Sequence, residues 1–309
     1  MTAPEAVAPS PFIPGTYTQW AWDSTALGYF KACPRLYYYR MIEGWRQKEE
    51  SVHLIFGQIY HTAIEHHIKN TFAGMSYDDS LLAVVREAMI SSWPWPYADS
   101  MKSREILIRS IIWYIENFRS NGATTVKLEN GKPAVELSFR FDTGVPVEGT
   151  DQTYILSGHL DQVVELAGEI LVIDHKTSKY AINNTFFEKF SPDIQMSLYS
   201  LAAQIVYQIP AKGVVIDGAQ LLVGGTRFER GVTYRTPGQL NEFLEDTIWW
   251  MKQQKVHADA SYWPMNEKSC GNYGGCPFRM ICSKDPSSRP AFLESNFEKT
   301  TPWNPLAVR

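Results

Sequence analysis

The chain has 309 residues, 44% hydrophobic and 20% charged, with no low-complexity tract, which excludes a stapled mini-protein, a disordered chain and a fibre. Twenty-nine lysines and arginines against 33 acids give a net charge of −4, so no general basic field points to a nucleic-acid partner. No apolar run reaches the ~18 residues of a membrane span, and the Pro-rich start (Pro4, Pro9, Pro11, Pro14) lacks the basic and apolar regions of a signal peptide. Residues 1–15 read as a flexible arm, and the protein as cytoplasmic.

Residues 23–44 read as helical, with Ser24 as N-cap and Pro34 interrupting just after Cys33. The stretch from Leu54 to Ile68 predicts an amphipathic helix on which Gly57, His61 and Glu65 recur every fourth residue along one face. A third helix is expected over about 78–92, ended by Trp93-Pro94-Trp95-Pro96. A fourth runs from Lys102 to Arg119 and is closed by Asn121-Gly122. The period then changes to two: Val135, Leu137, Phe139 and Phe141 face one way and Glu136, Ser138, Arg140 and Asp142 the other, a half-buried strand. Residues 154–166 make a second strand, and the turn Ala167-Gly168-Glu169 leads into Ile170–Ile173, an apolar run suited to a central strand. Ser191-Pro192-Asp193 signals the start of a helix over about 192–207. Strands near 213–223 and 232–236 follow. A last helix starts at Thr236-Pro237 and runs to about His257, before the cysteine-bearing segment.

The charge is unevenly spread. Residues 136–174 hold eight acids against Arg140 alone, a net −7 that leaves the rest at +3. Such an island is either a set of solvated strand faces or a cation site. Asp161 lies near the end of one strand, and Asp174-His175-Lys176 emerges from the next. Asp174 and Lys176 share a face because strand side chains repeat every two residues. Two carboxylates brought together across that hairpin suit a hard divalent cation that keeps several waters. An adjacent ammonium can position or polarise a water, and a bound metal can stabilise charge growing on a phosphate. The four cysteines (Cys33, Cys270, Cys276, Cys282), in a chain without an export signal, read as reduced thiols suited to metal ligation.

Four motifs in chain order now carry a resemblance: Gly57-x3-His61-x3-Glu65, Gly158-x2-Asp161, Asp174-x-Lys176 and Gln195-x3-Tyr199. Together they resemble the PD-(D/E)XK nuclease superfamily, in the RecB-like branch that includes the CRISPR-associated exonucleases. The resemblance implies an α/β restriction-endonuclease-like core, a mixed central sheet flanked by helices, with a helical N-terminal region and a C-terminal cysteine segment. It implies that His61, Asp161, Asp174 and the backbone carbonyl of His175 bind Mg2+ or Mn2+, that Lys176 is the catalytic lysine, and that Gln195 and Tyr199 orient DNA or the lysine. One early cysteine and three late ones also resemble the iron–sulfur members of the branch, which implies a [4Fe–4S] cluster on Cys33, Cys270, Cys276 and Cys282. The five residues Gly271–Gly275 between the first two late cysteines, where that pattern has two, depart from it. They keep a structural Zn2+ on the same four thiols open.

The expected organisation is an arm (1–15), a helical region with Cys33 and His61 (16–130), a nuclease core (131–257) and a cysteine segment (258–309). The expected function is metal-dependent hydrolysis of DNA, as an exonuclease on single strands or ends. The alternatives are a structure- or sequence-selective endonuclease, and a DNA-end-binding or assembly subunit with recombination or CRISPR-adaptation partners. A stand-alone chain without helicase motifs suits a prokaryotic or phage-infected cell. Glu65 and Glu136 are open between supporting the site and solvation. The imidazoles of His66, His67, His159 and His175 have no motif partner that would make them ligands. Most tryptophans, Trp93 and Trp249-Trp250 included, read as core, and Tyr37-Tyr38-Tyr39-Arg40 with Lys31, Arg35 and Arg46 as either a strand-guiding surface or solvated helix.

Overall fold

The computed structural model describes residues 8–49, 51–120 and 123–307. The first part of the expected arm and the Asn121-Gly122 helix stop lie outside the described residues. In chain order the elements are β1 (Ala21–Trp22), α1 (Ser24–Ala32), α2 (Pro34–Tyr37) running into a π-turn (Tyr38–Ile42), β2 (Trp45–Gln47), α3 (Val52–Phe72), α4 (Tyr77–Ser91) and α5 (Arg104–Asn117). Then follow β3 (Thr124–Thr125), β4 (Val135–Pro146), β5 (Thr153–Leu166), β6 (Glu169–Ser178), α6 (Asn184–Glu188), α7 (Ile194–Ile205), β7 (Gly213–Leu222), β8 (Gly225–Tyr234) and α8 (Pro237–Asp259). The chain ends in α9 (Arg279–Cys282), α10 (Arg289–Asn296) and β9 (Phe297–Lys299). Among the described residues no helix is long and apolar enough to cross a membrane.

These elements form two compact units, each discontinuous in sequence: one of Met1–Glu49, Ser138–Gly158 and Pro237–Arg309, the other of Glu50–Leu137 and His159–Thr236. In the second unit β5 and β6 pair antiparallel, β6 and β7 parallel, and β7 and β8 antiparallel, with β3 antiparallel to β5. This is a mixed sheet flanked by helices. Its interior face packs on α3, α4 and α5 through Phe56, Tyr60, Ile64, Leu107, Ile111 and Leu221, while α7 lies against β6 and β7. Burying each such large side chain is worth roughly 1.5–3 kcal/mol, so this face holds the unit together.

The first unit is organised by aromatic rings rather than by a wide sheet. Trp22 stacks on Tyr37 at 5.8 Å and Tyr38 on Trp263 at 5.7 Å. A second cluster joins Tyr39, Trp45, Phe278, Ile281, Leu293 and Phe297, beside the antiparallel pair β2–β9. The buried amide of Gln254 on α8 ties that helix to the segment before β1: Oε1 accepts from Gln19 N at 3.1 Å, and Nε2 donates to Tyr17 O at 2.8 Å.

Local expectations hold where a single strong signal acts and shift where two compete. Pro34 does end α1, whose N-cap is Asp23, not Ser24: the Asp23 carboxylate accepts from Ala26 N at 2.7 Å. Likewise Asp193 caps α7, accepting from Met196 N at 3.0 Å, so Pro192 precedes the helix instead of opening it. The short strand expected near 232–236 is the end of β8, a full strand from Gly225. Its exposed Arg227 and half-buried Glu229, spaced by two and paired with each other, mask the apolar signal, as charges at a sheet edge do.

Candidate active site

β6 positions the central residues. Its first half is the buried run Leu171–Ile173, and the next residue, Asp174, is only 1% exposed. Alternation sends Asp174 and Lys176 to the face covered by α7, and His175 and Thr177 to the face of α3 and α5. Lys176 Nζ lies 3.0 Å from Asp174 Oδ1 and 2.7 Å from Oδ2, and donates to Gln195 Oε1 at 2.9 Å. Gln195 Nε2 in turn donates to Tyr199 Oη at 2.8 Å. Gln195 and Tyr199 are four apart on α7, hence one turn apart on one face. Tyr199 thereby fixes which end of the amide meets the lysine.

Asp161 and His61 complete the group. The β5–β6 ladder ends at Gln162↔Ile173. Beyond it the Asp161 side chain takes the place of a backbone partner, its Oδ2 accepting from His175 N at 3.0 Å. The same oxygen lies 3.4 Å from His61 Nδ1 on α3. The structure therefore gathers His61, Asp161, Asp174, His175, Lys176, Gln195 and Tyr199 within the second unit.

The electrostatics follow from burial and these pairings. Burial opposes ionisation of Asp161, but His61, His175 and Lys176 outweigh it and hold its pKa well below the usual carboxylate range. Asp174 goes the other way: burial raises it and the Asp161 charge adds, against the pull of Lys176. Burial would lower Lys176, yet Asp174 and Asp161 raise it, so it remains an ammonium. Burial holds the His175 imidazole down at about 4, so it is neutral near pH 7.

Among the described residues no three His, Cys, Asp or Glu side chains stand close enough to hold a metal ion as placed. Asp161 is turned to a backbone amide and Asp174 to a lysine. The residues nonetheless fit a divalent cation by their donor chemistry: the Asp174 carboxylate is buried with only the Lys176 ammonium against it among the described residues, and the set of carboxylate oxygens with one imidazole suits a hard ion.

Two further acids of the island find partners elsewhere. Asp142 accepts from Gly144 N and Thr153 Oγ1 in the other unit, and Glu169 pairs with Lys212. Glu65 pairs with Lys69 along α3, and His66 with Glu87. Glu136 sits on β4 with a left-handed φ of 49°, and its charge reaches Tyr199.

Behind His175 is a network that no motif announced. Asp217, opposite His175 in the β6–β7 register, is 2% exposed. Its Oδ2 accepts from Tyr114 Oη at 2.9 Å and from Arg230 Nε and Nη2 at 2.9 and 2.8 Å. The Tyr114 hydroxyl lies 3.5 Å from His175 Nδ1. The available signal was an acid within the apolar run Val214–Ala219: a carboxylate inside a central strand has to be paired.

In the first unit, Cys33, Cys270, Cys276 and Cys282 are free thiols lining one small pocket with Leu36 and Phe278. The Cys33–Pro34 helix break presents Cys33, whose Sγ accepts from Asn266 N at 3.3 Å. Burial raises the Cys276 and Cys282 thiols, and the neighbouring sulfurs add to it. As placed, the thiols also stand too far apart to hold a metal, but four sulfur donors around an apolar pocket, one already hydrogen-bonded by a backbone amide, have the donor chemistry of a soft metal centre. Arg35 belongs to this neighbourhood, opposing the rise at Cys282 and donating to Trp263 O. Tyr37 and Tyr39 are buried and Tyr38 donates to Glu43, so this tyrosine run is packing and not a strand-guiding surface. Trp93 and Trp249 depart from the expected core role, at 74% and 53% exposed.

Residues 22–283 match the model of the PD-(D/E)XK nuclease superfamily. The chain belongs to that superfamily. As a superfamily member it is a hydrolytic nuclease, and its mixed sheet between helices is the superfamily's architecture. Among solved structures it is similar to a candidate exonuclease from Eubacterium rectale, at 12% identity and a TM-score of 0.45 over 80% of this chain and 84% of that one. It is also similar to SSO0001, at 13% identity and a TM-score of 0.31 over 74% and 95%. No curated protein matches the chain.

Proposed function

We propose that the chain is a metal-dependent deoxyribonuclease of the RecB-like branch, acting as an exonuclease on single-stranded DNA or DNA ends. The observation that carries this reading is the run of interactions Asp174–Lys176–Gln195–Tyr199 beside the Asp161–His61 pair. His61, Asp161, Asp174 and the His175 carbonyl would hold Mg2+ or Mn2+. When bound, that ion supplies Lewis acidity toward a phosphate oxygen and lowers the pKa of a bound water.

The protein's own groups supply the rest. Lys176, kept protonated by two carboxylates, offers its ammonium to a water or to a non-bridging phosphate oxygen. Gln195, held by Tyr199, gives that ammonium a neutral acceptor beside Asp174. Hydrolysis adds a water oxygen to phosphorus and breaks the bond to the 3′-oxygen, which leaves with a proton. The thiols of Cys33, Cys270, Cys276 and Cys282 would hold a [4Fe–4S] cluster, with Zn2+ as the rival occupant of the same ligand set.

The test uses purified protein with Mn2+ on end-labelled linear and circular single-stranded DNA. Wild type is expected to degrade the linear strand, and Asp174→Ala and Lys176→Ala to lose at least ~100-fold of that rate. Equal cleavage by Asp174→Ala would end the nuclease reading of this site, and cutting of circles would end the exonuclease reading. Iron and sulfide content, with absorbance near 400 nm, distinguishes cluster from zinc.

A further inference from the structure

Lys102, in the loop between α4 and α5, is 3% exposed, yet no carboxylate lies within ion-pair distance of its ammonium among the described residues. Nζ donates to Thr177 Oγ1 at 3.2 Å and sits 4.8 Å from the centre of the Phe56 ring. Burying an ammonium with one neutral acceptor and a ring face is costly, and side chains of this kind otherwise reach solvent or a partner. Its placement is nonetheless firm. Asp99 Oδ1 accepts from the backbone N–H groups of Met101 and Lys102, and Trp95 Nε1 donates to Lys102 O at 3.2 Å. The fold thus holds a positive charge in a place that packing alone disfavours.

That place adjoins the proposed site. Thr177 follows Lys176 directly, and Phe56 lies between His53 and Gly57 on α3. His53, Gly57 and His61 are spaced by four and so run along one face of the helix. His53 is exposed, and a Cβ on Gly57 would meet nothing within 4 Å. Lys179 lies near Lys102 and His53, with only a loose approach of 3.9 Å to Asp99, and its ammonium stands 5.9 Å from the ring centre of Tyr180, which is 71% exposed. Burial holds Lys102 at about 8, and burial together with Lys102 and Lys179 lowers His53. Three bases therefore share a small region with one carboxylate, next to an exposed aromatic ring.

We propose that Lys102, Lys179 and His53 form a phosphate-binding subsite for the DNA strand adjoining the scissile position, with Tyr180 as a stacking platform for the neighbouring base. A phosphate brought against Lys179 and His53 supplies the counter-charge that Lys102 lacks, and the open space over Gly57 leaves the backbone room to pass between His53 and His61. Exposed aromatics beside a cationic groove are how single strands are gripped without sequence preference. The inference rests on the nuclease reading for its ligand.

The test measures binding without cleavage: fluorescence anisotropy of a short labelled oligo-dT in EDTA, over a series of KCl concentrations, with the full-length protein. Lys179→Ala and Lys102→Met are each expected to weaken binding about 3- to 10-fold and to lower the log–log salt slope by roughly 0.7 for each phosphate no longer neutralised. Lys102→Met is further expected to melt at or above the wild-type temperature, because it relieves a buried charge. A merely structural lysine would lose stability and leave affinity alone. Tyr180→Ala, at an exposed position, is expected to weaken binding with the slope unchanged. Wild-type affinity and slope in both folded lysine variants would overturn the proposal. Should Lys102→Met not fold, Lys179→Ala and Tyr180→Ala decide it. Binding with these losses but no cleavage by wild type would break the nuclease reading and keep the subsite.

Discussion

The two candidate metal centres are built on opposite principles. The carboxylate site of the second unit is a set of full charges that already satisfy one another: Asp161 with His61 and a backbone amide, Asp174 with Lys176. The cysteine pocket of the first unit holds thiols whose deprotonation burial disfavours at Cys276 and Cys282, in a setting lined by Leu36 and Phe278. A hard ion at the first must compete with existing ion pairs, which suits an occupant that exchanges. A soft centre at the second gains by replacing protons on buried sulfur, which suits one that stays.

The sharpest way to break this comparison is to strip the cysteine pocket. If the pocket holds the proposed cluster or zinc, Cys33→Ser is expected to lose most of that metal and to unfold at a much lower temperature, as metal-ligand sets contribute folding free energy directly. Overnight EDTA dialysis, by contrast, should abolish cleavage and leave the melting temperature within a few degrees. Metal analysis and a thermal melt on the same samples check both; a full loss of stability in EDTA alone, with the iron retained, would contradict the division of roles.

A smaller effect is expected behind the carboxylate site. Arg230→Met leaves Asp217 buried without its cation, which costs on the order of 3–5 kcal/mol, whereas the double change Arg230→Met with Asp217→Leu should recover most of that stability. Urea melts of the three proteins measure it. If the double variant also regains wild-type cleavage, the network serves stability and has no part in placing His175.

The smallest effect is one of pH. Burial holds His67, beside Ser80 and Tyr77, down at about 4 against an ordinary 6.5. The unfolded chain therefore takes up a proton near pH 6.5 that the folded protein refuses until about pH 4. Stability falls as pH drops through that window, with no further loss from this group below it. His67→Gln should flatten part of the decline in melting temperature between about pH 7 and 4; a parallel decline in both proteins would show that other groups set it.

Much of this was legible in the order of residues. Period two over 135–142 and the buried run before Asp174 announce β4 and β6, and the offset of two between Asp174 and Lys176, like that of four between Gln195 and Tyr199, follows from strand and helix geometry alone. These are local properties. Helix ends were less legible where two capping residues lie close together, as Asp23 beside Ser24 and Asp193 two after Ser191. β8 was half hidden because an edge strand exposes charges that read as loop.

What the sequence determined by itself is the chemistry available: four motifs in order, their spacing, and four thiols at the two ends of the chain. Motifs singled out Asp161 and Asp174 among the eight clustered acids, but the partners each acid finds were decided only by tertiary structure, since the end of the β5–β6 ladder aims Asp161 at His175 N while Asp142 and Glu169 pair elsewhere. The same holds for Asp217 with Arg230 and for Lys102 under Phe56. Pairing and burial depend on residues distant in the chain, and a linear spacing carries no information about which distant groups will be present to answer a charge.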